Sequence, residues 1–285
     1  MSTQQPPTPE APAVAPGGPH AGYSSPIPVT RTHLGHALAS EWTKMKSVRS
    51  TVWTLGVFVL LVVGIGLLAA VAVRGAGELD GQNPLTLGFF GLLLGMMCVM
   101  TLGVLTTASE YGTGMIRTTM TACPARGRVL AAKSIVFFVV AFVVTLATVS
   151  FVALLQTAML EGHGTLTPST GEWVKATVGI SLYVALLGLL SLLVGSMIRH
   201  SAGAITIMIG AVLAPLVIAL FMNANSLEKV QQALLEYSIP SQMGVFYDNT
   251  LSHSGPSGWE PLWIILGVTA AAFAGAYALL ESRDV

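Results

Sequence analysis

From Ser50 to Val73 the chain runs for 24 residues without a charged side chain, and five more runs of comparable length follow it. Roughly 20 apolar residues in a helix cross the ~30 Å hydrocarbon core of a bilayer. Runs this long and this continuously apolar read as membrane-spanning helices. The expected spans are residues 51–73, 84–107, 134–159, 176–197, 201–222 and 261–280. The fold class that follows is all-α: a polytopic membrane protein with six transmembrane helices.

Composition agrees. Charged residues make up 9% of the chain and mean hydropathy is +0.73, whereas a soluble domain needs about 25% charged residues to coat its surface. A net charge of zero gives no reason to expect a nucleic-acid partner. The first 30 residues are rich in Pro, Ala, Gly, Ser and Gln. They bury too little to offset the entropy of ordering, and read as a disordered tail. The tail has neither the basic start nor the apolar centre of a cleavable signal, so the first span is expected to act as an uncleaved anchor. Residues 31–285 form the membrane domain.

Several junctions are marked locally. Asn83-Pro84 is a helix start, since Asn caps and Pro fits the first helical position. Pro215 is expected to kink the fifth span. Only Arg199-His200 separates the fourth and fifth spans, which makes them a tight antiparallel hairpin. Ahead of the first span, Leu34, Leu38, Trp42 and Met45 recur at helical spacing while Glu41, Lys44 and Lys46 lie elsewhere on the helix. A helix at 33–48 carrying Trp42, Lys44 and Lys46 reads as lying in the headgroup region.

Lys and Arg are retained on the cytoplasmic side of short loops. With the N-terminus inside, Arg31, Lys44, Lys46, Arg49, Arg117, Arg126, Arg128, Lys133, Arg199 and Arg283 are cytoplasmic, and Arg74, Lys175 and Lys229 are not. That bias of ten to three predicts an N-in/C-in topology.

The connection between the second and third spans, from Ala108 to Arg128, is the longest cytoplasmic one inside the domain. A helix–helix turn needs about 2–8 residues, so this segment reads either as a docking surface or as a solvated basic loop that sets topology. Its Ser109-Glu110-Tyr111, Gly114, Arg117, Thr118, Pro124, Arg126 and Lys133, with Ser40-Glu41-Trp42-Thr43-Lys44 and Arg49-Ser50 earlier, resemble the first cytoplasmic loop and the lead-in helix of ABC-2 type ABC transporter permeases, especially the actinobacterial kind. The resemblance implies a type V exporter-like permease fold in a bacterial plasma membrane, with a second permease copy or homologue as partner. It also implies a separate cytoplasmic ABC ATPase that binds the ATP, leaving no cofactor in this chain. The loop would be a coupling helix that sits in a groove of that ATPase, with Glu110, Tyr111, Gly112, Gly114, Arg117, Thr118, Pro124 and Arg126 as its candidate residues. Gly112 and Gly114 weaken a helix by about 1 kcal/mol each, so close approach of a partner or a break is expected there. The family also places short helices at the outer surface between its last two spans, where Leu227, Val230, Leu234 and Leu235 give 226–237 an apolar face.

Other chemistry finds little support. The sequence has no Gly-x-x-x-x-Gly-Lys-Ser/Thr, His-Glu-x-x-His or Gly-x-Ser-x-Gly stretch, which removes a phosphate-cradling loop and two common hydrolase sites. The expected spans hold no ionisable residue in their cores, which argues against a proton-coupled pump and against an enzyme working at depth. A non-transporting scaffold or sensor subunit is the remaining alternative. Cys98, Cys123 and the Met96–Met100 cluster read as structural, and Gly91-x-x-x-Gly95 as a close helix contact within the chain. Substrate-lining residues are not marked; the charge-free interior points to an apolar or amphipathic cargo.

Overall fold

The computed structural model describes residues 33–76, 81, 83–122, 125–222, 227–249 and 254–282. Among these residues the secondary structure is entirely helical. Six helices are long and apolar enough to cross a membrane: Arg49–Gly75, Pro84–Gly112, Arg126–Leu160, Thr170–Ile198, Ser201–Phe221 and Glu260–Ser282.

In chain order, α1 (Leu34–Ser47) precedes α2 (Arg49–Ala76). The second span opens as Asn83-Pro84 suggested: the Asn83 side chain accepts from the Leu85 N–H at 3.0 Å, and Pro84 begins a 3-10 turn that passes into α3 (Gly88–Gly112). Then come α4 (Met115–Ala122), the 35-residue α5 (Arg126–Leu160), α6 (Thr170–Val174) and, after a π turn at Lys175–Gly179, α7 (Ile180–Ile198). The hairpin to α8 (Ser201–Phe221) turns on Arg199, held at φ 58°, and His200, whose ring nitrogen caps α8 by accepting from Gly203 N–H. The short α9 (Glu228–Glu236) and α10 (Ile239–Gly244) precede α11 (Glu260–Ser282).

α3 and α7 form the centre. In each, 67% of the most apolar stretch is buried, against 22% in α2 and α8 and 17% in α11. Small residues let α3 approach its neighbours. A Cβ on Gly91 would stand 2.7 Å from the Val62 carbonyl oxygen of α2, and one on Gly103 would overlap the Gly188 carbonyl of α7. The Gly91-x-x-x-Gly95 stretch is therefore used inside the chain, against Val62 and Phe58. A polar tie adds to it, Gln156 Nε2 donating to the Gly66 carbonyl at 2.9 Å and joining α5 to α2 in the buried interior.

One expectation changes. The third span begins at Arg126, eight residues before Ser134, so Lys133 lies within a helix and is buried. In α1 the face turned to the protein consists of Glu41 and Met45, whereas Trp42 is 53% exposed and Leu34 is exposed as well. Two carboxylate-lysine contacts draw Glu41 inside.

Candidate functional site: an ion quartet behind an elbow

At the end of the bundle where α1 lies, four charged side chains from three helices meet. Lys133 Nζ of α5 stands 2.8 Å from Glu41 Oε2 of α1 and 2.9 Å from Glu110 Oε1 of α3, and it also donates to the Thr106 carbonyl at 3.3 Å. Lys44 Nζ of α1 lies 2.7 Å from Glu41 Oε1 and 3.1 Å from Glu110 Oε1. A third contact, 3.4 Å to Thr119 Oγ1, carries the cluster into α4. Glu41, Glu110 and Lys133 are buried, while the Lys44 side chain is 26% exposed.

Two acids and two bases leave the quartet neutral, which is how charge persists in a low-dielectric site: the desolvation of each ion is offset by hydrogen-bonded partners. Burial acts to push the Glu41 carboxyl up. The Lys133 ammonium beside it and the hydrogen bonds from both lysines outweigh burial and hold the carboxyl below its ordinary value. Burial likewise acts to lower the Lys44 ammonium, and its bond to Glu41 together with the field of Glu110 raises it instead. One acceptor is unused: Glu110 Oε2 is buried without a hydrogen-bond partner. Glu110 lines two small cavities, one of about 70 Å³ shared with Glu41, Lys44, Thr51 and Lys133, the other of about 20 Å³ shared with Tyr111, Arg126 and Ser196.

In front of the quartet the chain makes an elbow. Glu110 and Arg117 stand on separate helices, because α3 ends at Gly112 and α4 starts at Met115, with Gly114 at φ 74° between them. The left-handed backbone at Gly114 is the break that the glycines suggested, a conformation glycine adopts without penalty. Ile116 is buried and Met120 packs against the core, while Arg117, Thr118 and Thr121 face outward. A Cβ at Gly112 or Gly114 would meet nothing within 4 Å, so the outside of the elbow is open.

The remaining candidates brace this corner. Half-buried Tyr111 stacks under the Arg199 guanidinium at 4.9 Å from its ring centroid, linking α3 to the α7–α8 hairpin. Arg126 Nη1 donates to the Leu280 carbonyl at 2.8 Å, linking the start of α5 to the end of α11. Trp42 and Lys46 lie on the exposed side of α1. Pro124 lies outside the described residues.

The elbow is thus drawn from residues the sequence singled out, but with Glu110 turned inward. Its buried partners Glu41 and Lys133 were not expected at a site. Both lie in the stretches that carry the resemblance, and Lys133 also stands directly before one charge-free run as Glu110 stands directly after another. Charges at such borders can fold back on one another.

Residues 37–212 match the sequence model of a family described as ABC-2 family transporter protein. The match spans 176 of the 285 residues, from inside α1 to inside α8, and includes the whole quartet and the elbow. No curated protein matches the sequence.

Proposed function

The chain belongs to the ABC-2 family of transporter membrane proteins, and from that premise we propose that it is the permease subunit of an exporter whose ATP is hydrolysed by a separate cytoplasmic ATPase docked on the α3–α4 elbow. The family lacks a nucleotide-binding domain and its members generally pair with an ABC ATPase.

The observation that supports this reading best is the elbow itself. It is a short helix standing outside the spans, open on its outer side around Gly112, Gly114, Arg117 and Thr118, and backed by a buried ionic cluster. A plain topological loop needs neither the ordered helix nor the backing. On this reading Arg117 and Thr118 meet the ATPase, Tyr111 and Arg126 hold the corner in place, and Trp42 and Lys46 rest in the headgroup layer. Both termini are then cytoplasmic in a bacterial plasma membrane, and a second copy or a homologue completes the pathway. The exposed apolar faces of α2, α8 and α11 supply surface for lipid and for that second copy. The charge-free middle of the spans suits an apolar or amphipathic cargo.

The test is affinity purification of the tagged chain from its own membranes in mild detergent. An ABC ATPase should co-purify, and Arg117→Glu/Thr118→Glu should reduce its recovery at least about tenfold, a loss near 1.4 kcal/mol of binding, without altering the elution volume of the membrane subunit. Recovery of the chain with no ATPase, or undiminished recovery with the double variant, overturns the docking assignment.

A further inference from the structure

α1 is fastened to the rest of the protein by apolar packing of Leu38 and Met45 and by one ionic cluster. Glu41 and Met45 are its buried residues, and Glu41 uses both carboxylate oxygens, one on Lys44 and one on Lys133. The same quartet reaches α3 through Glu110, α5 through Lys133 and α4 through Thr119. Four helices therefore share one set of charge-assisted bonds of 2.7–3.1 Å, with Thr119 joined at 3.4 Å. Such bonds are directional and strong where water is excluded. Met45 and the half-buried Leu38 pack beside this polar point, so the quartet is the polar tie through which α1 meets α3, α4 and α5.

The quartet also has room to rearrange. Both lysines bond the same Glu110 oxygen, Oε1, while Oε2 is buried and unused. Their hydrogens can pass between the two oxygens as helices shift, without leaving a cation unbonded, and the 70 Å³ cavity beside Lys44 and Lys133 leaves space for that shift.

We infer that the Glu41–Lys44–Glu110–Lys133 quartet is the joint that carries displacement of α4 into α1 and α5, with Lys133 as its positioning residue. This rests on the elbow being where the ATPase docks. Lys133 meets neither the ATPase nor cargo. It keeps Glu41 and Glu110, and hence α1 and α3, bonded to one ammonium while the elbow moves.

The experiment measures spin-label distances in the purified permease–ATPase complex, in a Cys98→Ala/Cys123→Ala background. The pair Ala39→Cys and Thr121→Cys reports α1 against α4, and the pair Thr121→Cys and Ala202→Cys reports α4 against α8. With Mg-ATP trapped on the ATPase, the α4–α8 distance should shift from its nucleotide-free value while the α1–α4 distance stays the same. With Lys133→Met, the α1–α4 distance should itself become nucleotide-dependent. Because that variant leaves two carboxylates sharing the single ammonium of Lys44, the charge-balanced Glu41→Leu/Lys133→Met is measured beside it; it leaves the Lys44–Glu110 contact and should show the same nucleotide dependence. A nucleotide-dependent α1–α4 distance in the parent chain, an α4 that never moves against α8, or an unchanged α1–α4 distance in the balanced variant each overturns the joint. Failure of the parent chain to bind any ATPase refutes the docking reading instead, so the two failures are distinct.

Discussion

A lysine with 5% of its side chain exposed persists in α5 because Glu41 Oε2, Glu110 Oε1 and the Thr106 carbonyl surround its ammonium. Replacing one member of a buried ionic cluster strands the others, which costs about 3–5 kcal/mol, whereas replacing a matched pair with apolar groups of similar volume is close to neutral. Lys133→Met should therefore lower the thermal unfolding temperature in detergent markedly, and Glu41→Leu/Lys133→Met should restore most of the loss. Equal damage from the two would show that the charges act independently and that no quartet forms. At this scale the sequence was readable only in part. Glu41, Glu110 and Lys133 all drew attention through the stretches that carry the resemblance, but nothing in those stretches shows that the three side chains meet. Ion pairing between residues 92 positions apart leaves no periodic trace in the sequence.

Elements were more legible than contacts, because hydrophobic length alone determines where a helix can span. Six runs became six helices, and Asn83-Pro84 marked a real helix start. The turn at Gly114 was legible as a weak point and became a break. The early start of α5 was not legible, since residues 126–133 carry three basic side chains and still continue the helix, tied to α11, α1 and α3 by Arg126 and Lys133. Packing separates glycines that look alike in sequence. Gly103 lies where a Cβ would overlap the Gly188 carbonyl, a backbone atom that cannot yield without moving α7, whereas a Cβ at Gly210 in α8 would meet nothing within 4 Å. Gly103→Ala should destabilise the bundle by about 1–3 kcal/mol through overpacking. Gly210→Ala should be neutral or stabilise α8 by up to ~1 kcal/mol, as the better helix former. Thermal melts of the two variants side by side check this, and a harmless Gly103→Ala would mean that α3 and α7 do not cross that closely.

Taken whole, the molecule has two unlike ends. One holds α1, the quartet, the elbow and the α7–α8 hairpin, and is cross-linked by ionic, cation–π and side-chain-to-carbonyl contacts. The other holds α9 and the largely buried α10, and carries the contact of Arg74 Nε with His163 Nε2 at 3.2 Å. A machine driven from one side needs its stiff end on that side, where a push on α4 must reach the spans before it dissipates. On the proposed topology the basic, cross-linked end is the cytoplasmic one, where Lys and Arg are retained and where ATP is available. Lys46 and Lys229, both exposed and on opposite ends, make that orientation measurable. In a Cys98→Ala/Cys123→Ala background, a membrane-impermeant maleimide added to intact cells should label Lys229→Cys and leave Lys46→Cys unlabelled until the membrane is permeabilised. The reverse pattern would put the elbow outside the cell, beyond reach of any cytoplasmic ATPase, and would remove the proposed function along with the topology.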